Sequence, residues 1–186
     1  MRVPGISGEK VRLVPLEKEH LENCLKWLND SEVMRWTKRV IPLHRAQEDK
    51  FLERMVESRD DVAWAIHDEN DRHIGVSGIH RIDWQYRSGM TGTIIGEKSA
   101  WGRGYGSDTM LTRTRWAFEE LGLHRLQSGC FVENEASKRC LEKAGFRVVG
   151  TLRKRIWRAA AWHDLYLMEI LEEDWFARKT VGSSAG

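Results

Sequence analysis

A glycine-rich junction between a strand and a helix is the feature that most constrains the fold of this chain. The stretch from Trp101 to Ser107 has glycine at alternate positions. It follows a β-like run, Thr91 to Gly96, and precedes an amphipathic helix expected to start near Ser107. Such glycines let successive backbone N–H groups face one concavity, and the helix N-terminus adds partial positive charge. The junction therefore predicts a phosphate or pyrophosphate site, although an ordinary glycine-rich turn would show the same pattern.

Two familiar phosphate-binding motifs do not fit this junction. A Walker-type loop ends in Gly-Lys-Ser/Thr, whereas here Gly106 is followed by Ser107 and Asp108. A dinucleotide fingerprint has the spacing G-x-G-x-x-G, usually early in a βαβ unit. The spacing here is G-x-G-x-G, midway along the chain. The sequence therefore argues against a nucleoside triphosphate or a dinucleotide as the ligand of this junction.

Length and composition narrow the class of protein. A chain of 186 residues with a net charge of +2 fits one domain, and neither nucleic acid nor a membrane surface is an expected partner. Cys24, Cys130 and Cys140 form no C-x-x-C pair, so we expect reduced thiols and no metal site. No apolar run has the length of a membrane span and no apolar signal segment is present. We therefore expect a cytoplasmic protein with one domain over residues 1–176 and a flexible tail at 177–186.

Hydrophobic periodicity and turn residues predict an α/β fold. Helices alternate with strands in a way that favours a mixed, mostly antiparallel twisted sheet flanked by helices on both faces, rather than a doubly wound parallel sheet. The expected helices are 17–28, 45–57, one from about 107 to 121 whose apolar face includes Leu111, and 134–144, and the expected strands are 11–16, 62–67, 73–82, 90–96, 125–131, 147–152 and 165–171.

Several segments together resemble a known family. They are Ile95 to Gly106, Ala117 to Arg125, Asn134 to Phe146, and Trp162 to Leu165 followed by Glu173-Asp174-Trp175. In order and spacing they resemble the GNAT superfamily of acetyl-CoA-dependent N-acetyltransferases, over roughly residues 8 to 176. The nearest branch in appearance is that of the ribosomal-protein alanine N-acetyltransferases.

The resemblance implies a set of residues that hold acetyl-CoA. The family loop has the form Gln/Arg-x-x-Gly-x-Gly/Ala, and here Trp101 takes the first position while Gly104 and Gly106 match the small residues. The preceding strand in the family splays from its neighbour, and a backbone N–H at its bend would face the oxyanion. Asn134 would cap a helix and hold the cofactor arm. The implied cofactor residues are Ile94, Ile95, Gly96, Trp101, Gly102, Arg103, Gly104, Tyr105, Gly106, Ser107, Asn134 and Ser137.

The catalytic groups are less defined than the cofactor groups. Many family members take the acid from a Tyr seven residues after the Asn, where this chain has Leu141, so Ser137 is the substitute, or it only completes a helical turn. Some carry a base early on the strand before the loop, where this chain has Met90. Glu97 is then the candidate base through water, or a solvated surface residue.

The acceptor side is expected to involve His80, Trp36 and Trp84. The two tryptophans fall in segments that line the acceptor cleft in similar proteins, and an indole can hold an amine by a cation–π contact. His80 carries an imidazole, a group suited to proton transfer, or has a structural role on its strand. The expected acceptor is a primary amine on a protein N-terminus, a polyamine, an amino acid or an amino-bearing antibiotic.

A non-catalytic function is the alternative to an N-acetyltransferase. The missing Tyr and Glu leave open a module that binds acetyl-CoA, or a protein-interaction domain, on the same scaffold. The basic run from Arg153 to Arg158 is expected to be a solvated strand face rather than an RNA contact. A homodimer is left open.

Overall fold

The computed structural model describes residues 5–183 of the chain. One eight-stranded sheet runs through this part, in the order β1-β2-β3-β4-β5-β6-β8-β7 once strands are numbered along the chain. All neighbouring pairs are antiparallel except β5 and β6, which are parallel. This confirms the mixed, mostly antiparallel sheet. The strands are β1 (Ile6–Ser7), β2 (Arg12–Pro15), β3 (Val62–His67), β4 (His73–Asp83), β5 (Ser88–Ile95), β6 (Arg125–Phe131), β7 (Arg147–Arg158) and β8 (Ala161–Leu171).

Helices cover both faces of the sheet, as expected. The larger core cluster joins the sheet to the third, fourth and fifth helices, and a smaller one joins it to the first two. No helix described between residues 5 and 183 is long and apolar enough to cross a membrane. The helices are α1 (Leu21–Leu28), α2 (Arg45–Glu57), α3 (Tyr105–Glu119), α4 (Glu135–Lys143) and α5 (Glu172–Ser183), with short 3₁₀ turns at Lys18–His20, Val33–Trp36 and Lys98–Ala100.

Local sequence signals explain where several helices begin and end. The side chain of Asn134 accepts a hydrogen bond from the N–H of Ser137, which caps α4 as the sequence predicts. At α2, His44 and Gln47 form a reciprocal capping pair. Gly122, which follows α3, has a φ of 68°, the left-handed conformation that commonly stops a helix. These signals are local, so they could be read from the chain.

The parallel pair β5–β6 divides the sheet. The two strands pair only over Ser88–Met90 and Arg125–Gln127. Beyond that point β5 continues along β4 as far as Ile95, while β6 continues along β8 as far as Phe131. The strands therefore diverge toward their carboxyl ends, which is the splay that the family resemblance implies.

Helix α3 is attached to the sheet by a buried arginine. The Nη1 atom of Arg113 donates to the Ser77 hydroxyl (2.8 Å), the Gly92 carbonyl (2.8 Å) and the Thr93 hydroxyl (2.7 Å). Burial lowers the pKa of Arg113 to about 9. Within the described chain no carboxylate lies at ion-pair distance from this guanidinium, so β4 and β5 hold it through hydrogen bonds alone.

Some expected boundaries were wrong. Helix α3 begins at Tyr105 rather than near Ser107, with Gly104 at its N-cap. Leu111 is exposed on α3 instead of lying on its apolar face. The last two strands are longer than expected and form a hairpin, with most of the basic run exposed on β7. Helix α5 continues past residue 176, into the segment expected to be a tail, and residues 184–186 lie outside the described part.

Three histidines form a buried cluster next to α1. The Nε2 atoms of His20 and His67 are 3.1 Å apart, and the His73 ring packs edge-on against Trp27 with centroids 4.7 Å apart. Burial, aided by the neighbouring histidines, lowers the pKa of His73 to about 3. Burial also lowers the pKa of His20, so the folded chain favours neutral imidazoles at His20 and His73.

We predict that acid destabilises the fold through His73. Below about pH 6.5 the unfolded chain protonates this residue, whereas the folded chain does not until about pH 3. The free energy of unfolding should therefore fall in this window by up to about 1.4 kcal/mol per pH unit. Denaturant titrations of the wild type and of His73→Gln at several pH values measure the effect. The wild type should lose more stability than the variant on going from pH 6 to pH 4, and parallel losses would contradict the assignment.

Candidate active site

The N-terminus of α3 presents a cradle of backbone N–H groups. The first helical hydrogen bond runs from the N–H of Asp108 to the carbonyl of Gly104 (3.1 Å). The N–H groups of Tyr105, Gly106 and Ser107 therefore have no acceptor within the helix. Gly104 has a φ of 90°, so a side chain at this position would be strained. This geometry suits an anion at the helix start.

A lysine far away in sequence completes the cradle. The Nζ atom of Lys10 donates to the carbonyl of Arg103 (3.1 Å), which places a cation against the loop. Asp108 holds Lys10 there, because its carboxylate accepts from the N–H groups of Glu9 (3.2 Å), Lys10 (2.7 Å) and Val11 (2.9 Å). The start of β2 and the start of α3 are thus joined by one buried carboxylate.

The side chains of the loop contact other parts of the protein, whereas the cradle itself is formed by backbone N–H groups. The indole N–H of Trp101 donates to the carbonyl of Ile95 (2.8 Å) and so folds the loop onto the end of β5. Tyr105 is buried, and its hydroxyl donates to the carboxylate of Glu69 (2.8 Å). The guanidinium of Arg103 lies over the Tyr105 ring, 5.3 Å from its centroid. The Ser107 hydroxyl donates to the Cys140 thiol (3.2 Å) and does not cap α3.

The residues at the end of β5, Ile94 to Gly96, were expected to offer a backbone N–H in the splay. The N–H of Gly96 already donates to the carbonyl of Ile74 (2.9 Å). In an antiparallel ladder the bonded groups alternate, so the N–H of Ile95 points away from β4, toward the side from which β6 has diverged. Among the three residues 94–96, Ile95 is therefore the one that can offer a donor in the splay.

A cavity of about 680 Å³ lies on the opposite face of the sheet from α3. Its walls come from α1, the segment 34–43 and α2, and its floor comes from β3, β4 and β5. Gly78 and Gly92 are paired on the floor, and a Cβ at Gly92 would meet nothing within 4 Å. The floor is therefore open over β5. Apolar lining residues include Leu16, Leu28, Met34, Leu43, Phe51, Ala63, Val76 and Ile94.

Glu48 is the only carboxylate among the residues that line this cavity. It lies on α2 and is 5% exposed. Burial raises the pKa of Glu48 above its ordinary value, against the opposing effect of the positive charge of Arg39. A raised pKa suits a group that must accept a proton near neutrality. Nothing in the sequence pattern of α2 distinguishes Glu48 from its neighbouring charged residues.

Of the three residues expected on the acceptor side, only His80 lines the cavity. It lies on β4, and its Nδ1 atom is 3.2 Å from Asp61 Oδ1. Trp36 packs against Phe131, with ring centroids 5.6 Å apart, beside the cavity rather than in its lining. Trp84 is 49% exposed in the turn after β4, and its indole N–H donates to Asp60 Oδ1 (2.9 Å). Trp36 and Trp84 therefore do not line this cavity, and their contact with an acceptor stays a prediction.

The two expected catalytic residues occupy different surroundings. The carboxylate of Glu97 accepts from the Ser99 hydroxyl (2.9 Å) and N–H (3.2 Å), and these hydrogen bonds lower its pKa. A lowered pKa is the opposite of what a base near neutrality needs, and Glu97 does not line the cavity. The Ser137 N–H donates to Asn134 Oδ1 (3.1 Å), so Ser137 does complete the first turn of α4.

Lys10, Asp108, Glu48 and Arg39 were missed because their roles depend on tertiary contacts. The local sequence of α2, Arg45 to Glu57, is strongly charged and gives no sign that one carboxylate is buried. For Asp108 alone, the sequence carried one relevant signal. Asp108 falls in the first turn of the helix after the glycine loop, where an acid is favoured, but the pattern does not show that it captures another strand.

Comparison with curated proteins finds bacterial N-acetyltransferases. The chain is 33% identical over 108 residues to "Probable N-acetyltransferase YjcK" of Bacillus subtilis (strain 168), which covers 56% of this chain and 58% of that protein. It is 30% identical over 105 residues to "Putative ribosomal N-acetyltransferase YdaF" of the same organism, covering 56% and 57%. The chain thus spans little more than half the length of each of these two relatives.

Comparison with solved structures shows the same fold. The spermidine N-acetyltransferase of Vibrio cholerae, solved in complex with CoA and spermine, matches with a TM-score of 0.84 over 89% of this chain and 98% of that one, at 19% identity. A GNAT-family acetyltransferase of Bacillus anthracis matches with a TM-score of 0.78 over 91% and 99%, at 23% identity.

A family model, described as an acetyltransferase (GNAT) domain, matches residues 10–147, which include the cradle, the splay and α4. That span is most of the chain and carries the glycine loop and the segments through Phe146 on which the resemblance depends, while the later segments at 162–165 and 173–175 lie beyond it. The chain belongs to the GNAT acetyltransferase family.

Proposed function

We propose that this chain is an N-acetyltransferase that moves the acetyl group of acetyl-CoA to a primary amine. One observation carries the proposal, namely that two consecutive residues at the end of β5 serve the two sites. Ile94 lines the cavity on one face. On the other face, a Cβ placed on Gly106 would lie 3.8 Å from Ile95 Cγ1. A donor held at α3 and an amine held in the cavity would therefore meet at the end of one strand.

The residues at the start of α3 fit the co-substrate of this family. Three N–H groups without helical acceptors and the cation of Lys10 suit a pyrophosphate, and the absence of a side chain at Gly106 leaves room between α3 and β5. Acetyl-CoA, when bound, supplies the activated acetyl group. The role of this chain's residues is to orient it, with the N–H of Ile95 directed into the splay as the candidate donor to a carbonyl oxygen.

The cavity supplies what the amine requires. An amine must lose a proton before it can attack, and Glu48 is a buried carboxylate with a raised pKa within the lining. The apolar walls reduce the dielectric constant around that carboxylate and strengthen its attraction for an ammonium group. We propose Glu48, in place of Glu97, as the group that holds and deprotonates the amine.

Several finer points stay predictions. Ser137 remains the candidate acid for the departing thiolate. The branch of ribosomal-protein alanine N-acetyltransferases is supported by the similarity to YdaF, and a polyamine acceptor by the fold shared with the spermidine enzyme. A cytoplasmic location, a homodimer and the lack of a nucleic-acid partner also stay predictions.

A thiol-release assay tests the proposal. The protein is incubated with acetyl-CoA and a panel of amines comprising peptides, amino acids, polyamines and aminoglycosides, and the acetylated product is identified by mass spectrometry. We expect amine-dependent release of CoA. Tight binding of acetyl-CoA without turnover on any amine would instead favour the non-catalytic module.

We predict that Gly106→Val lowers the affinity for acetyl-CoA at least tenfold. The added methyl groups would fill the space between α3, Ile95 and Cys140, where a Cβ makes only ordinary contacts, so the fold should survive. The change avoids the strain expected at Gly104, whose φ is positive. Gly150→Val on β7 is the matched control, since a Cβ there also meets only an ordinary contact, with Leu167 at 3.8 Å. Calorimetric titration with acetyl-CoA gives the result, and equal affinities in the two variants would remove the cofactor from this position.

We predict that Glu48→Gln lowers kcat/KM at least about 100-fold, the usual contribution of a positioned base. In the wild type, activity should be lost as the pH falls through the pKa of Glu48, which lies above the ordinary glutamate value of 4.5. That acidic limb should be absent in the variant. Glu53→Gln, an exposed glutamate on the same helix, is the control. If Glu97→Gln reduced kcat/KM more than Glu48→Gln did, the base would be Glu97.

A further inference from the structure

The charged side chains around the cavity are distributed unevenly. Four cationic side chains belong to the lining and are exposed, whereas the single lining carboxylate is buried. An acceptor therefore meets positive charge at the entrance and negative charge inside. The four cations are Lys38, Arg39, Lys50 and Arg54.

These four cations lack carboxylate partners within the described part of the chain, since none of its ion pairs includes them. Nearby surface cations do have such partners. Lys98 Nζ lies 2.8 Å from Asp30 Oδ2 and 2.6 Å from Glu32 Oε2, and Arg45 pairs with Glu22. No ion pair within the described chain neutralises these four cations, although the charge of Arg39 also acts on Glu48, so positive potential remains at the entrance for a ligand.

Two of the cations are held in place. The Nε atom of Arg39 donates to the Ile41 carbonyl (3.1 Å), while the Arg39 carbonyl accepts from Arg158 Nη1 (2.5 Å). The guanidinium of Arg54 lies over the ring of Phe51, 5.4 Å from its centroid. Ordered guanidinium groups lose little freedom when they bind a carboxylate, and their planar donors match its two oxygens.

We propose that the acceptor is an amine that also carries a carboxylate, with an apolar body between the two charges. The inference rests on the proposed function and defines its substrate class. The ammonium group lies toward Glu48, the apolar body contacts the walls, and the carboxylate lies at the entrance with Arg39 and Arg54. A polyamine has cations at both ends, so one of them would lie among the four entrance cations, and this repulsion disfavours it.

Matched acceptors test the proposal. 6-Aminohexanoic acid, whose methylene chain separates its amine from its carboxylate, is compared with 6-aminohexanamide, which has the same amine and chain but no carboxylate, and both are compared with spermidine. For each compound, kcat/KM is measured by thiol release, and binding to the protein with CoA is measured by calorimetric titration. We expect the acid to exceed the amide at least tenfold in kcat/KM and in affinity, with spermidine weakest. Equal values for acid and amide, or preference for spermidine, would overturn the proposal.

Variants of the entrance cations test whether these residues cause the preference for the acid over the amide. In the double variant Arg39→Gln with Arg54→Gln, the ratio of acid to amide should fall to near one. Arg35→Gln is the control, because Arg35 lies in the same segment, over the Trp36 ring at 4.9 Å, and does not line the cavity. A ratio that fell equally in both variants would contradict a specific entrance site.

The readouts separate this inference from the proposed function. If no amine is acetylated, the proposed function fails, and the binding titrations still decide whether the cavity prefers a carboxylate-bearing amine. Tighter binding of the acid than of the amide would then support the inference. Absence of binding by both compounds would overturn it.

Discussion

The hydrogen bonds of one buried guanidinium fix the relation between the two sites. Arg113 crosses from α3 to β4 and β5 and donates to Ser77, Gly92 and Thr93 without a carboxylate partner in the described chain. Burying such a charge is costly, so these bonds must be kept if the cost is to be offset. They hold α3 against the strand that ends at the cofactor cradle, and they do so directly beneath the floor of the cavity. The proposed donor and acceptor sites therefore share one support, and a change there would disturb both.

Local chemistry explains how much of the fold could be predicted. The glycine stops, the Asn134 cap and the alternating strands are read within a few residues, so the mixed sheet and most elements followed from the sequence, whereas β1 and α5 were not predicted. Boundaries were harder where a helix starts without a side-chain cap. Helix α3 begins at Tyr105 because Gly104 adopts a left-handed conformation and its carbonyl accepts the first helical bond, whereas Ser107, the residue that has a capping side chain, bonds Cys140 instead.

The candidate site likewise has one part that local sequence predicts and another part that depends on tertiary contacts. The backbone cradle and the splay belong to a contiguous motif, so they could be located in advance. Glu48 could not, because its burial depends on the segment 34–43 folding over α2, and that segment is held in part by Arg158 of a distant strand through the Thr37 and Arg39 carbonyls. Trp84 stays a predicted acceptor-side residue from the family resemblance, although its exposed indole N–H donates to Asp60 and it does not line this cavity.

The single parallel pair in the sheet has a topological consequence. Two adjacent parallel strands need a connection that crosses over the sheet, and between β5 and β6 that connection is α3. The helix N-terminus is thereby obliged to follow the carboxyl end of β5, which is also where the strands separate. The position of the proposed acetyl-donor site is thus determined by the order of strands and helices along the chain. The segment 34–43 and α2 lie outside this crossover, so their sequences can change to accept a new amine while the handling of the acetyl donor stays the same.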